Sequence, residues 1–387
     1  MTCEIAIVGA GPSGAWTAAL LARRGARVAL IDPSHPREKP CGGGVTGRAL
    51  ALVATAVSEA TLRNVRIRSA RFLDSARESS ATVPLDEGDA LTVASREEFD
   101  GLLLSAAVDA GATLYRTRVT DLSGRAGAWQ LRLRDDTTLT ARTIVGADGA
   151  NSLVRRRVAA AFRRDQLSAA TGFYARGVSS DEIVIEMVRD PPGYIWSFPR
   201  PDHLALGICA QADAGVPIEA LRQILARWLD RTGIASGATL EPYSWPIPSL
   251  DAIDFLNVPV AGPGWLTVGD AAGLVDPITR EGIYFALESA VAAADALTAD
   301  GTGFERQYQD RIRADIGEDL ARAARYKRGF FRPPFAALLV DALRVSPGIR
   351  SVMADLVAGT QSYRGLKWRL LKTMELGLVR RWLAGSG

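Results

Sequence analysis

The sequence predicts an α/β fold in which a Rossmann-type dinucleotide-binding domain is interrupted by an antiparallel β-sheet domain and followed by a C-terminal helical tail. Three observations lead there. A glycine turn joins a strand to a helix in "EIAIVGAGPSGAWTAALLARRGARVALIDPS", residues 4 to 34. Runs of alternating residues such as "VRIRSARFLD" and "DEIVIEMV" lie between segments of mixed strand and helix character. Towards the end, Leu366, Leu370, Leu371 and Met374 recur at helical spacing. The expected boundaries are 1–59, 95–159 and 256–300 for a discontinuous nucleotide-binding domain. Residues 60–94 and 160–255 form the sheet domain, and 301–387 the helical region.

Composition bounds the function. The chain has 387 residues, 48% hydrophobic and 23% charged, enough for a large core shared by two domains. The formal net charge is only +3, but from Arg325 onward twelve Lys and Arg face three Asp and Glu, about +9 locally. No reading motif accompanies that basic stretch, so nucleic acid is not an expected partner. Cys3, Cys41 and Cys209 lie far apart, and His35 and His203 add no ligand spacing, so neither a metal site nor a disulfide framework is expected. A strand starting almost at the first residue leaves no room for a signal peptide, and no apolar run approaches the roughly 20 residues that span a bilayer. The expectation is a cytoplasmic protein, at most peripheral to the inner face of the membrane.

The first strand, at 4 to 8, is rich in Ile and Val, as a strand buried on both faces should be. Gly9 allows the tight turn, Gly11 lets backbone approach a pyrophosphate, and Gly14 permits close packing of helix on strand. The helix N-terminus offers free N–H groups to the phosphates. "VALID" is the second strand and ends at Asp32, 18 residues after Gly14, where a carboxylate accepts from ribose hydroxyls. NAD and FAD both satisfy this pattern.

Three later segments separate them. "ASREEFDGLLLSAAVDAGATLYRTRVTDL" is a helix opened by Ser95 and followed by a strand; "TIVGADGANSLVRR" is a strand running into Asp148-Gly149; "GWLTVGDAAGLVDPITREGIYFALESA" is a strand into Gly269-Asp270, a loop, and a helix from Gly282. This order resembles the p-hydroxybenzoate-hydroxylase-like class of FAD proteins. The resemblance implies a Rossmann-type FAD-binding domain, with Asp270 on the ribityl chain or pyrophosphate. It also implies Gly282 and Ile283 at the flavin N1–C2=O edge, Arg96 on the cofactor from the other side, and Ser13, Val119 and Asp148 in the same site. The plainer alternatives are a helix cap for Asp270 and a solvated first-turn residue for Arg96.

In "DPPGYIWSFPRPDHLALGIC", Tyr194, Trp196 and Phe198 alternate along an extended run ended by Pro199, which puts three aromatic side chains on one face and Ile195 and Ser197 on the other. "EKPCGGGVTGRAL" and "PPGYIWSFP", with Gly207 downstream, resemble the geranylgeranyl reductase family, which has a Cys-Gly-Gly loop and a YxWxFP segment followed by GxG. "LVAGTQSYRGLKWRLL" looks like the tail of bacterial members, and one departure is Cys209 at the second glycine of GxG. The family's activity implies a hydrophobic prenyl substrate reduced at its double bonds by hydride from flavin N5. Tyr194, Trp196, Phe198, Pro199 and Gly207 would form the substrate wall; the alternative is that the aromatics are plain sheet core. Cys41, with Gly42 and Gly44 at the cofactor, either supplies the proton or is a small packing residue in a flexible loop. NADPH binding transiently or reduced ferredoxin serves as electron donor, since no second nucleotide fingerprint occurs.

The basic, amphipathic tail either packs on the catalytic core as a lid, the preferred reading, or touches an anionic membrane surface. Two rival functions share the FAD framework. An aromatic hydroxylase or a halogenase is one; halogenases have a related WxWxIP motif, but they need a lysine between flavin and substrate, and Lys39, in the cofactor loop, is the only lysine before Lys327. A flavoprotein electron carrier to quinone is the other; its larger forms hold an iron–sulfur cluster on C-terminal cysteines, and no cysteine follows Cys209.

Overall fold

The structure, a computed structural model, describes residues 2–85, 91–299 and 303–373. Its first layer is an eight-stranded sheet built around Thr2–Val8, which pairs in parallel with Val28–Ile31 on one side and Thr138–Gly146 on the other. Thr113–Tyr115 and Trp265–Thr267 extend the parallel array. The register aligns Val8 with Ile31 and Gly146, and Gly146 with Thr267. The loops bearing Gly9, Asp32, Asp148 and Asp270 therefore leave from one carboxyl edge, the edge at which open α/β sheets bind ligands.

Both faces of the central strand are covered, as its composition requires. Ile5 and Ile7 join a core with the helices Pro12–Arg23 and Ile283–Thr298. Ala6 and Val8 face a second core beneath the antiparallel ribbon Val119–Arg125 and Ala128–Leu133. Small residues (Ala15, Ala18 and Ala19 from one helix, Ala286, Ala290 and Ala293 from the other) allow the two helices to approach closely.

The second layer is a seven-stranded sheet in the order Thr239–Pro248, Leu167–Arg176, His203–Gln211, Pro192–Pro199, Ile183–Arg189, Ser69–Asp74, Ser79–Pro84. Every pairing is antiparallel except Ile183–Arg189 beside Ser69–Asp74. One face is closed by the helix Ile218–Thr232, whose Leu221, Leu225 and Trp228 pack on Ile195, Leu206 and Ile208. This helix was not expected in a segment read as strands alone. The run "VRIRSARFLD" is also two strands, not one: Asn64–Ile67 joins Gly44–Thr46 and Leu91–Ala94 in a small third sheet, and Ser69–Asp74 joins the large one.

The C-terminal region is helical. Phe304–Ile312 continues through a π-helical turn at Arg313–Gly317 into Glu318–Phe330, followed by Pro333–Val345, Pro347–Ala358 and Leu366–Lys372. Leu339, Leu343 and Met353 pack on Phe72, Val83 and Ile183 and so cover one end of the seven-stranded sheet. The cover is thus built by 333–358. In the last helix Leu366 is buried, but Leu370, Leu371 and Trp368 are exposed, so that stripe does not pack down as the preferred lid reading had it; Met374 lies outside the described residues. Among the described residues no helix is long and apolar enough to cross a membrane.

Candidate active site

A cavity of about 900 Å³ separates the carboxyl edge of the parallel sheet from the open face of the seven-stranded sheet. At one wall the glycine turn is compact. Gly9 has φ of +104°, and a Cβ on Gly14 would lie 1.9 Å from the Gly9 carbonyl oxygen. Gly11 is open towards the cavity: the nearest atom to a methyl group placed there would be His35 Nε2, at 3.7 Å. Two helix N-termini meet the cavity there without a side-chain cap: Pro12–Arg23, entered through Gly11 and Ser13, and Ile283–Thr298, entered through Gly282 and Ile283. Uncapped N–H groups and a glycine cradle fit a dinucleotide pyrophosphate.

Asp32 stands beside this turn with both oxygens engaged. Oδ2 accepts from Ala10 N and faces His35 Nδ1, each at 2.9 Å, while Oδ1 accepts from the Ser34 and His35 N–H groups. Burial alone would raise its carboxyl, but His35 and these N–H groups hold it well below the usual carboxylate range. It is ionised wherever the protein is folded near neutral pH, as an acceptor for ribose hydroxyls must be.

The remaining cofactor candidates line the same cavity, and their side chains are differently occupied. Asp270 pairs with Lys39 Nζ at 3.1 Å. It is neither a helix cap nor alone, and Lys39 is not a free cation poised between two ligands. Asp148 accepts from Ser152 Oγ and from the N–H groups of Leu153 and Val154, so it ties down the short helix Leu153–Val158. Val119 is a buried wall residue. Arg96 is 3% exposed, not solvated, and forks onto Asp100 at 2.8 and 2.9 Å. Ser95 caps its helix through Glu98 N.

The Cys41 loop is held by a residue that the sequence alone does not single out. Arg200, fully buried, donates from Nη2 to the Cys41 carbonyl at 2.7 Å, from Nε to the Gly42 carbonyl at 3.2 Å, and from Nη1 to Glu38. Glu38 also accepts from Ser95 Oγ and Arg96 N. Burial raises the Glu38 carboxyl, yet the charge of Arg200 and these donors bring it below the ordinary range. The glycines here serve close contact and not flexibility. A Cβ on Gly42 would lie 3.0 Å from the Phe198 ring, and Gly43, at φ +83°, leaves no room beside Arg200 and the Ala94 carbonyl. The Cys41 thiol itself is half-buried and lines the cavity.

The opposite wall is the aromatic face. Tyr194, Trp196 and Phe198 line it with Phe72, Ile185, Met187 and Trp245, while Ile195 is turned into the core on the other face. Trp196 lies across Gly207: a Cβ there would fall 2.1 Å from its ring. Tyr194 is fixed by its hydroxyl donating to the Thr279 carbonyl at 3.0 Å, in the loop before Gly282. Pro199 and Gly207 do not line the cavity; they shape the strands beneath it. Cys209 is buried between Tyr194 and Ala170 and also stays out of the wall, so the departure from GxG leaves the slot's lining unchanged. At the sheet end covered by the 333–358 helices, Phe330, Met353, Leu356 and Val357 complete the apolar lining.

Residues 2–231 match the family model of the FAD-binding domain. The chain is 32% identical to the menaquinone reductase of Mycolicibacterium smegmatis over 77% of each protein. It is 29% identical to the digeranylgeranylglycerophospholipid reductase of Methanothrix thermoacetophila, over 86% of this chain and 88% of that one. Among solved structures, a geranylgeranyl bacteriochlorophyll reductase-like protein of Thermoplasma acidophilum superposes with a TM-score of 0.80 at 21% identity, covering 96% of this chain and 99% of the other.

Proposed function

The chain belongs to the FAD-binding oxidoreductases of the geranylgeranyl reductase family, and from that premise we propose that it saturates carbon–carbon double bonds of a polyprenyl chain. One observation carries the proposal: the cavity has nucleotide-binding turns on one wall and a continuous aromatic and aliphatic surface on the other. An isolated trisubstituted alkene offers no charge or carbonyl, so it is bound by apolar area, at roughly 0.8 kcal/mol per buried CH2.

FAD, when bound and reduced, supplies the hydride. The Gly9–Gly14 turn and the N-terminus of Pro12–Arg23 would hold its pyrophosphate, Asp32 its adenosine ribose, Asp270 its ribityl chain, and the Gly282–Ile283 N–H groups its pyrimidine edge. Tyr194, Trp196 and Phe198 would hold the prenyl chain, and their π faces attract positive charge developing at an alkene carbon by about 2 kcal/mol when dry. Hydride at one carbon requires a proton at the other, and Cys41, whose residue lines the cavity, would give or relay it through its thiol. Electrons come from NADPH or reduced ferredoxin. With a prenyl substrate and chemically reduced enzyme, mass spectrometry should find two added hydrogens per bond; a substrate recovered unchanged, with flavin fully bound and reduced, refutes the reading.

Cys41→Ala should lower the alkene-reduction rate by about 10²–10⁴, the range for a general acid, with flavin retained. A rate equal to wild type removes Cys41 from proton transfer. The exposed Trp368, Leu370 and Leu371 alternate with Lys367, Arg369 and Lys372 on the last described helix, which supports peripheral contact with an anionic membrane. At low salt the protein should float with phosphatidylglycerol vesicles and not with neutral ones; recovery of all of it in the unbound fraction would end that part of the proposal.

A further inference from the structure

The strand face that carries the aromatic wall continues past the cavity. Register places Trp196, Gly207, Gly172 and Tyr243 in one row across four strands, then Phe198, Ala205, Tyr174 and Glu241, then His203 and Arg176. Rows on one face are about 7 Å apart. The face thus runs from apolar side chains at the cavity to ionisable ones at a rim where Asp202 and Arg176 are partly exposed. The Cys41 loop is anchored at this boundary. Arg200, which donates to the Cys41 carbonyl, is tied to His203 through the bond from Arg200 N to the His203 carbonyl.

Two buried polar atoms in this strip have no hydrogen-bond partner among the described residues, the Tyr174 hydroxyl and His203 Nε2. Their rings meet edge to face with centroids 5.3 Å apart. On its outer side His203 Nδ1 is 2.8 Å from Asp202 Oδ1, so Nδ1 carries the proton and Nε2 is left as an acceptor. Arg176 Nη1 lies 3.3 Å from the same nitrogen and also holds Asp202, while its Nε holds Glu241. Burial brings the His203 imidazole below its ordinary value, with Arg200 and Arg176 adding to the fall and Asp202 opposing it. On the inner side the Tyr174 ring packs on Tyr243 at 4.7 Å, and Tyr243 lines the cavity with Cys41. The Tyr243 hydroxyl is committed to the Leu206 carbonyl at 2.6 Å, so of the two phenols it is Tyr174 that keeps its hydroxyl uncommitted. Burial pushes the Tyr174 phenol up, and the charges that act on it next are those of Arg200, Glu38, Cys41 and Arg96, the Cys41 loop and its surroundings. Arg96 and Tyr243 act on the Cys41 thiol as well.

Buried polar groups are ordinarily paired, and two adjacent orphans between an exposed carboxylate and a cavity thiol suit the passage of protons. We propose that Tyr174 and His203 form a relay that returns to Cys41, from solvent, the proton that Cys41 gives to the alkene. The relay rests on the prenyl-reductase reading with Cys41 as donor, and it supplies the step that resets the site. When the alkene carbon takes the thiol proton, the S–H bond breaks, a C–H bond forms and a thiolate remains. Solvent protonates His203 at the Asp202 rim. The Nε2–H proton then passes to the Tyr174 oxygen as the Tyr174 proton passes to sulfur, leaving a neutral imidazole with Nδ1–H on Asp202. Neither residue lines the cavity, so both act through Cys41 and not on the substrate.

The test uses the flavin-loaded full chain and two variants that preserve packing, Tyr174→Phe and His203→Gln. The first measurement is the infrared S–H stretching band of Cys41, taken as the difference from Cys41→Ala and followed against pH. With His203 neutral, the Tyr174 hydroxyl donates to Nε2 and accepts from the thiol; with His203 protonated the chain reverses and Tyr174 donates to sulfur. The band should therefore step as His203 titrates in wild type, and the step should vanish in both variants. The second measurement is kinetic, with a prenyl substrate and excess chemical reductant. Cys41 starts with its own proton, so both variants should form the first product per flavin at the wild-type rate and then turn over at least about tenfold more slowly. A step that persists in Tyr174→Phe, later turnovers as fast as wild type in both variants, or a first turnover slowed as much as the later ones overturns the relay. If wild type reduces no alkene, the prenyl reading fails, and the infrared step alone decides whether Tyr174 and His203 are linked to the Cys41 proton.

Discussion

Arg200→Met is expected to yield protein that purifies with flavin well below one per chain and loses kcat/KM for alkene reduction by about 10² or more. Removing one partner of a buried charge pair costs about 3–5 kcal/mol because the other charge stays behind, and tenfold in affinity is about 1.4 kcal/mol. Here the abandoned charge is Glu38, and the carbonyls of Cys41 and Gly42 lose their donors in the same step. The loop that presents Cys41 would then drift from the cofactor. Visible absorbance relative to protein absorbance measures the loss. The double variant Glu38→Gln with Arg200→Met should recover part of the flavin content, since the orphan charge is gone. Full flavin occupancy and wild-type rates in Arg200→Met would show that the clamp is dispensable. In wild type the clamp is intact above the ordinary carboxylate range and is lost as pH falls through the lowered value of Glu38, so flavin retention by this clamp should persist through the ordinary carboxylate range and fail only below it.

Gly207→Ala should spare flavin binding and damage substrate use. The added methyl would sit 2.1 Å from Trp196 Cζ2, far inside contact distance, and the indole has rigid backbone beneath it. The ring must tilt into the cavity. Overpacking of this kind costs about 1–3 kcal/mol, which becomes a fall of about 10- to 100-fold in kcat/KM for the prenyl chain if the strain is borne in the bound state. Steady-state kinetics beside a flavin-to-protein ratio separates this from the Arg200 outcome. Unchanged kinetics would mean that Trp196 does not set the slot. Cys209→Gly, one residue pair further along the same strand, should do little, because Cys209 is outside the lining.

What could be read beforehand was local. Gly9, Gly11, Gly14 and Asp32 fall within one strand–turn–helix–strand unit, so spacing alone places them, and the two-residue period of Tyr194, Trp196 and Phe198 assigns their common face. The helix Ile218–Thr232 was equally local, since Leu221, Leu225 and Trp228 recur at helical intervals, and it was lost among neighbouring strands. Arg200 is different. It follows Pro199 in what reads as a polar turn, and its partner Glu38 is 162 positions away. The available hint was an arginine directly after a strand lining a cavity. The break at Arg68 was also invisible, because alternation continues through it while the strands on either side enter different sheets.

The single parallel pairing in the seven-stranded sheet, Ser69–Asp74 beside Ile183–Arg189, bears on how the chain reaches its native state. The earlier hairpin, complete at Pro84, emerges from the ribosome about a hundred residues before the strand it must join, and the core strand Thr2–Val8 waits still longer for its second neighbour, Thr138–Gly146. Pairings this distant close slowly and leave unsatisfied strand edges in the interim. Recombinant yield should therefore respond to slower synthesis at lower temperature and to chaperone supply, more than a surface-level inspection of the finished molecule would suggest.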